Sequence, residues 1–362
     1  MNHGKTAIGF IACLLLTVLF TGCSGSAANS VQESAENPEP TGKAYFTYFD
    51  TVSYVYNYAG DSAEAFEERS AGASAVLAEY HRLFDIYHEY AEMNNLCTVN
   101  RLAGGEPVEV DEKLIDFLLL ARDLYEQTNG EMNVMMGAVL RIWHEHRTVA
   151  SEDPARASVP TEEELKAAAE HISFDLLEID AENKTVRITD RAASIDVGAL
   201  GKGYATEKAA QYLEADGASG YVLNVGGNIR IIGTKPNGEG WVTGVRDPGD
   251  PDSHFITRLN LADTACVTSG TYERYYTVDR VRYHHIIDKD TLFPAAYFSS
   301  ITVVTKDSGL ADALSTALFC MSYEDGAELL SGLEGVEALW VFPDGQTRTT
   351  DGLSHLIVEQ NT

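Results

Sequence analysis

Helical spacing of apolar side chains alternates along this chain with stretches dense in aromatic and β-branched residues, and the two mark out its elements. Over residues 44–58 aromatic and β-branched residues crowd together, which predicts a strand or hairpin. Over residues 62–87 the spacing lengthens: Val76, Leu77, Tyr80, Leu83, Phe84 and Tyr87 share a helical face. A polar loop at 89–105 follows, with Asn94, Asn95 and Asn100 suited to turns. Residues 112–128 predict a second amphipathic helix, stopped by Asn129-Gly130, and 133–147 a third. After a proline-containing loop at 151–160, Thr161 and Glu164 form a capping box that opens a short helix. Strands are expected at 174–179 and 185–189, on either side of a turn at 181–184.

The rest of the chain is arranged around residues 194–217. A short strand is expected to pass three glycines, Gly198, Gly201 and Gly203, and become a helix ending near Gly217. The N-terminus of that helix offers free N–H groups to an anion, Lys202 adds a cation and Asp196 a carboxylate. This suits a phosphorylated ligand; a plain strand–turn–helix joint with a solvated lysine is the simpler alternative. The spacing is not that of a P-loop. Residues 221–225 then read as a strand running into Gly226-Gly227-Asn228, and strand-rich sequence continues to Val304 with breaks at 235–240 and 247–252. Residues 310–321 predict a helix apolar on most faces, hence buried. A helix at 324–333, a strand at 340–342 and the apolar tail Leu356-Ile357-Val358 complete the chain.

Composition narrows the partners. With 44% hydrophobic residues in 362, a packed core is expected. A formal charge of −29 disfavours nucleic acid and anionic membrane surfaces as partners. A site for an anionic ligand must therefore create its own positive field, from a metal, a lysine or a helix end. At the N-terminus Lys5 precedes an apolar run from Ala7 to Phe20 that is short for a membrane span and ends in Thr21-Gly22-Cys23. This resembles a bacterial lipoprotein signal: residues 1–22 would be removed and Cys23 lipidated. A cleaved secretory signal is the alternative, and both export the protein. Residues 23–43 read as a flexible tether and 44–362 as the folded domain. Of five cysteines, Cys97, Cys266 and Cys320 would remain with no close pair, so neither a disulfide framework nor a zinc site is expected.

Further residues carry chemistry. His284-His285-Ile286-Ile287-Asp288 sets imidazoles beside a carboxylate, suited to acid–base work or simply to ending a strand. Asp312 and Thr316 lie one turn apart on the helix at 310–321. Facing a cavity, that carboxylate and hydroxyl would suit Mg²⁺; otherwise Asp312 caps the first turn and Thr316 packs inside. His144 and His146 do not share a helical face and are not read as a metal pair.

Together these motifs resemble the ApbE family of FAD:protein FMN transferases, over most of the exported chain. The family pattern Asp-x-Gly-Ala-x-x-Lys-Gly is met by Asp196, Gly198, Ala199, Lys202 and Gly203. Asn-x-Gly-Gly-Asn is met by Asn224, Gly226, Gly227 and Asn228, and Thr-Ser-Gly-x-Tyr by Thr268, Ser269, Gly270 and Tyr272. His-His-Ile-Ile-Asp and Ala-Asp-Ala-Leu-x-Thr-Ala-Leu are met in full.

The resemblance implies an α+β fold of the T-fold type, with mixed or antiparallel sheets packed against helices. It implies Mg²⁺-dependent transfer of FMN from FAD to a threonine or serine of an acceptor flavoprotein, with release of AMP. The implied metal ligands are the Ala199 carbonyl, Asp312 and Thr316. The implied FAD contacts are Phe49, Tyr87, Glu131, Met132, Asn133, Asp196, Lys202 and Ile286, and the implied base is His285 or His284. Hydrolysis of FAD to FMN and AMP, or flavin binding without catalysis, are the alternatives. The expected location is extracytoplasmic, lipid-anchored to the bacterial cell membrane. Four places depart from the family pattern: Phe49-Asp50-Thr51 where Met-Gly-Thr is common, Met132-Asn133-Val134 where Phe-Asp-Pro is common, Lys289, Asp290 and Leu292 after Asp288, and Glu207 for a common aspartate.

Overall fold

The computed structural model describes residues 40–252 and 254–358. Cys23 and the signal-like run lie outside them, as does most of the expected tether. The apolar alternation at 44–58 forms a hairpin of strands Thr41–Tyr48 and Thr51–Asn57, so the last tether residues, 41–43, already pair in a sheet. In the second strand Ser53, Val55 and Asn57 are buried while Tyr54 and Tyr56 stay half-exposed, the period of two that a sheet covered on its inner face requires.

This hairpin begins an eight-stranded sheet whose strands lie side by side in chain order, every neighbour antiparallel. After the hairpin come Tyr221–Val225, Asn228–Ile232, Ala265–Gly270, Ser300–Thr305, Glu337–Val341 and Thr347–Thr349. It is a meander in which several turns have grown into long excursions. Strand Ser300–Thr305 is buried along its whole length, because it is covered on both faces. Ile301 and Val303 point into the main core beneath helices Ala63–Phe84, Gly201–Ala215 and Ser308–Phe319. Val304 points the other way, into a smaller core under the hairpin of Trp241–Arg246 and Phe255–Leu261.

A third apolar cluster joins helix Gly137–Glu152 to the excursion between Gly270 and Ser300. Trp143 anchors it, its indole N–H donating to the Leu292 carbonyl at 3.0 Å. Several expectations shift at their edges. The helix expected at 62–87 is Ala63–Phe84, capped by the Ser62 side chain, and ends when Asp85 turns extended and accepts the Tyr87 and His88 N–H groups. The helix expected at 133–147 starts at Gly137, because the Asn133 side chain accepts the Met135 N–H and holds a turn there. The loop at 89–105 contains a one-turn helix, Leu96–Arg101, capped by Asn95. The capping box of Thr161 and Glu164 is present. Among the described residues no helix is long and apolar enough to cross a membrane.

Candidate active site

The phosphate-suited stretch becomes a site where two helices cross. Helix Gly201–Ala215 meets helix Ser308–Phe319 at Gly203, where a Cβ would lie 2.3 Å from the Ser308 carbonyl oxygen and 2.4 Å from the Asp312 Cβ. Glycine is required there because no side chain fits between the two backbones. Gly203 is the third residue of its helix, so its N–H has no carbonyl partner within the helix; it donates to Asp312 Oδ2 at 2.8 Å. Among the described residues the Ala199 carbonyl accepts no N–H.

Lys202 Nζ stands 3.6 Å from the same Asp312 oxygen and 3.4 Å from the Gly198 carbonyl. Burial pushes the Asp312 carboxyl up against the pull of Lys202 and the Gly203 N–H. Thr316, one turn on, is half-exposed on a helix otherwise buried around it, and its hydroxyl makes no hydrogen bond among the described residues. Ala199 O, Asp312 Oδ1 and Thr316 Oγ1 are thus oxygens without protein partners, the donor chemistry of a hard cation. Among the described residues there is no cluster of three or more His, Cys, Asp or Glu side chains placed for a metal.

Two contacts fix this cleft from behind. Glu207 Oε2 accepts the Ser308 N–H at 2.9 Å and Arg230 Nε at 3.0 Å, so a buried ion pair tethers the start of the Asp312 helix to its neighbour. Ser269 Oγ lies 2.8 Å from Ser315 Oγ, which donates to the Asp312 carbonyl at 2.9 Å, joining the Thr-Ser-Gly strand to the same helix. The Asn-x-Gly-Gly-Asn segment is a tight turn: Asn224 Oδ1 accepts the Gly227 N–H, and a Cβ on Gly226 (φ +57°) would strike Thr51. The turn thereby supports Phe49 and Asp50, both at positive φ.

The two histidines separate cleanly. His284 is buried with both nitrogens engaged: Nε2 donates to the Ala295 carbonyl at 3.0 Å and Nδ1 accepts the Ile286 N–H at 3.3 Å. His285 Nδ1 lies 3.2 Å from the Glu273 carbonyl. A carbonyl only accepts, so Nδ1 carries the proton and Nε2 keeps a free lone pair. Burial, then Arg274, Lys202, His284 and Arg147, push this imidazole down to about 3, so it is neutral at physiological pH.

The other sequence-expected residues divide by where their side chains go. Asp196 is half-buried beside Lys202's loop; burial pushes its carboxyl up, and Oδ1 accepts the Gly198 N–H at 2.9 Å. Its own N–H donates to the Val134 carbonyl at 2.8 Å, which lashes residues 131–136 alongside it. Met132 is wholly buried in the main core, whereas Asn133 is half-buried, its amide donating to the Ile172 carbonyl and accepting the Met135 N–H. Glu131 pairs with Lys289 at 3.1 Å. The Ile286 side chain is likewise core. Tyr87 is 58% exposed, with its ring 5.6 Å from that of His144, and Phe49 packs edge-on against His81. Sequence reasoning missed Arg147 and Arg274. Both lie beside His285, and Arg274 stands two residues after the motif tyrosine Tyr272, a cation in a chain short of them.

Known proteins resemble this chain over most of its length. The ApbE family model matches residues 50–340. The FAD:protein FMN transferase of Treponema pallidum is 34% identical over 274 residues, covering 71% of this chain and 73% of that protein. One from Klebsiella pneumoniae is 26% identical over 274 residues, covering 74% and 81%. The crystal structure of the ApbE protein of Thermotoga maritima superposes with a TM-score of 0.77 at 28% identity, covering 89% of this chain and all of that one. The matched span takes in the Gly203 crossing, the His285 excursion and the Asp312 helix together, and the chain belongs to the ApbE family.

Proposed function

We propose that this protein transfers FMN from FAD to a threonine or serine hydroxyl of an acceptor flavoprotein and releases AMP. The observation that carries the reading is the Gly203 crossing, which brings the start of the Lys202 helix, with the Ala199 carbonyl just ahead of it, onto Asp312 one turn before Thr316. Those three oxygens would hold Mg²⁺, which when bound neutralises charge on a diphosphate and orients it. Lys202 adds a fixed cation next to the diphosphate. His285 Nε2 takes the acceptor's hydroxyl proton as that oxygen bonds to the FMN phosphorus. The bond from that phosphorus to the bridging oxygen breaks, and its electron pair leaves with AMP. His284, with both nitrogens engaged, holds the loop that carries His285.

The same reading includes export and a lipid anchor at Cys23, supported by the sequence from Lys5 to Cys23. The test is incubation of the pure protein with FAD, Mg²⁺ and a threonine-containing segment of a candidate flavoprotein, followed by mass spectrometry. An FMN adduct on one hydroxyl is expected, and Asp312→Ala should abolish it while the protein still melts cooperatively. Release of FMN and AMP with no adduct on any acceptor would replace transfer by hydrolysis. Intact FAD under every condition would remove catalysis altogether.

A further inference from the structure

Lys202 is not the only cation at this cleft. Arg147, on helix Gly137–Glu152, and Arg274, in the excursion after strand Ala265–Gly270, meet there although 127 residues separate them. Arg147 Nη1 donates to the Arg274 carbonyl at 3.5 Å, and its Nη2 lies 2.9 Å from His144 Nδ1. Arg274 Nη2 reaches back to the Phe49 carbonyl at 3.5 Å. Arg274 also holds a left-handed φ of +45°, costly for a long side chain and sustained only where the surroundings impose it. What imposes it is visible: the preceding Glu273 carbonyl accepts from His285, and Arg274's own carbonyl accepts from Arg147.

Neither guanidinium has a carboxylate within 4 Å among the described residues, in a chain with 55 acidic side chains against 26 basic ones. Asp196 is the acid whose field reaches both, yet with no carboxylate in direct contact each guanidinium keeps donors open to an incoming anion. Burial first and Arg274 second hold the Arg147 guanidinium below its ordinary range, as such a pair requires. The segment that carries Arg274 also orients His285, which sets these donors on the side of the cleft where the acceptor hydroxyl attacks phosphorus if His285 is the base.

We propose that Arg147 and Arg274 grip the non-bridging oxygens of the phosphoryl group that is transferred. The inference rests on the function proposed above and adds a second cationic wall to the cleft, independent of Lys202 and of any metal. As the acceptor oxygen bonds to phosphorus and the AMP oxygen departs, charge on the equatorial oxygens is met by planar guanidinium forks. A lysine at either place would supply charge without the fork.

The test separates phosphate recognition from flavin recognition. Riboflavin, FMN and FAD are titrated by flavin fluorescence quenching into wild type, Arg274→Gln, Arg147→Gln and Arg274→Lys, with Mg²⁺ present. Both glutamine variants should bind riboflavin within twofold of wild type yet lose about tenfold or more for FMN and FAD. Turnover at saturating FAD should fall by about 10²-fold or more in Arg274→Gln and recover only in part in Arg274→Lys. Equal losses for all three flavins would overturn the proposal, as would unchanged affinity and turnover. If wild type transfers FMN but the variants bind all three ligands as it does, this inference alone fails. If wild type neither prefers FAD to riboflavin nor transfers FMN, the function proposed above fails with it.

Discussion

Replacing Gly203 by alanine tests the geometry on which the site depends. The new methyl would meet the Ser308 carbonyl oxygen at 2.3 Å and Asp312 Cβ at 2.4 Å, where ordinary contact begins at 3.4 Å. Neither neighbour is a flexible side-chain end, so the two helices must part by about 1 Å. Overpacking of this kind costs about 1–3 kcal/mol. Stretching the Gly203 N–H bond to a buried carboxylate adds about 1.5–3 kcal/mol, and the better helix propensity of alanine returns about 1 kcal/mol. The net loss is about 1.5–5 kcal/mol, or about 2–8 °C in Tm for a domain this large. Displacing Asp312 from Ala199 by about 1 Å should also lower the transfer rate about 10²-fold. Gly332→Ala is the control: its added methyl finds nothing nearer than the Leu329 carbonyl at 3.6 Å, at an ordinary negative φ. Thermal melts and FMN-transfer assays on both variants decide the matter. A Gly203→Ala protein that melts and turns over like Gly332→Ala would refute the close crossing as the feature that shapes the site.

Other expectations follow from the same atoms. Burial raises the Asp312 carboxyl above its unfolded value, so in metal-free protein its ionised form costs stability, and increasingly so as pH rises through the folded pKa. Metal-free Asp312→Asn should therefore melt higher than wild type at pH 7, by a margin that shrinks as pH falls toward the ordinary carboxylate range; a constant margin would contradict the burial argument. Mg²⁺ should raise the Tm of wild type but not of this variant. With its imidazole pushed down to about 3, His285 should show no NMR titration between pH 5 and 8 in the free protein, and a midpoint near 6.5 would count against its burial first and the nearby cations second. His285→Gln should slow transfer far more than it weakens FAD binding, whereas His284→Gln, which disturbs two internal hydrogen bonds, should lower Tm. Arg230→Met leaves Glu207 buried without its partner and should cost about 3–5 kcal/mol in a denaturant melt, a loss that adding Glu207→Leu partly restores.

The elements were legible in the sequence wherever one face is buried. The density of aromatic and β-branched residues pointed to the hairpin that holds Thr51–Asn57, the glycine pair marked the end of Tyr221–Val225, and the capping box and the Asn129-Gly130 stop fixed two helix ends. What escaped was set by single polar side chains acting locally. Asn133 delays a helix by holding a turn, and Asn95 starts a short one inside a polar stretch. The strand Thr347–Thr349, only three residues long, has too little pattern to announce itself. In the site, the motif residues Asp196, Lys202, His285 and Asp312 were visible as chemistry, but their division of labour was not. That His284 is saturated while His285 keeps a free nitrogen depends on the carbonyls of Ala295 and Glu273, which no side-chain pattern records. Arg147 and Arg274 were hidden for the same reason: they become neighbours only because Trp143 and Tyr276 bury their two elements against one another.

An acidic protein that handles a diphosphate has to concentrate its few cations without relying on net charge. Here the topology does so. The sheet runs in chain order, so the excursion before Ser300 and the helix after Thr305 both return to the same strand, one bringing Arg274 and His285 and the other Asp312 and Thr316. Gly203 then lets the Lys202 helix close upon the second of these until a backbone N–H reaches the buried carboxylate. Because Asp312 Oδ2 is satisfied by that N–H and by Lys202, the site holds its shape before any cation arrives, and Oδ1 remains for one. Ligand binding therefore meets a preformed field rather than having to create one, which is the condition under which fixed charges lower a phosphoryl-transfer barrier instead of merely tightening binding.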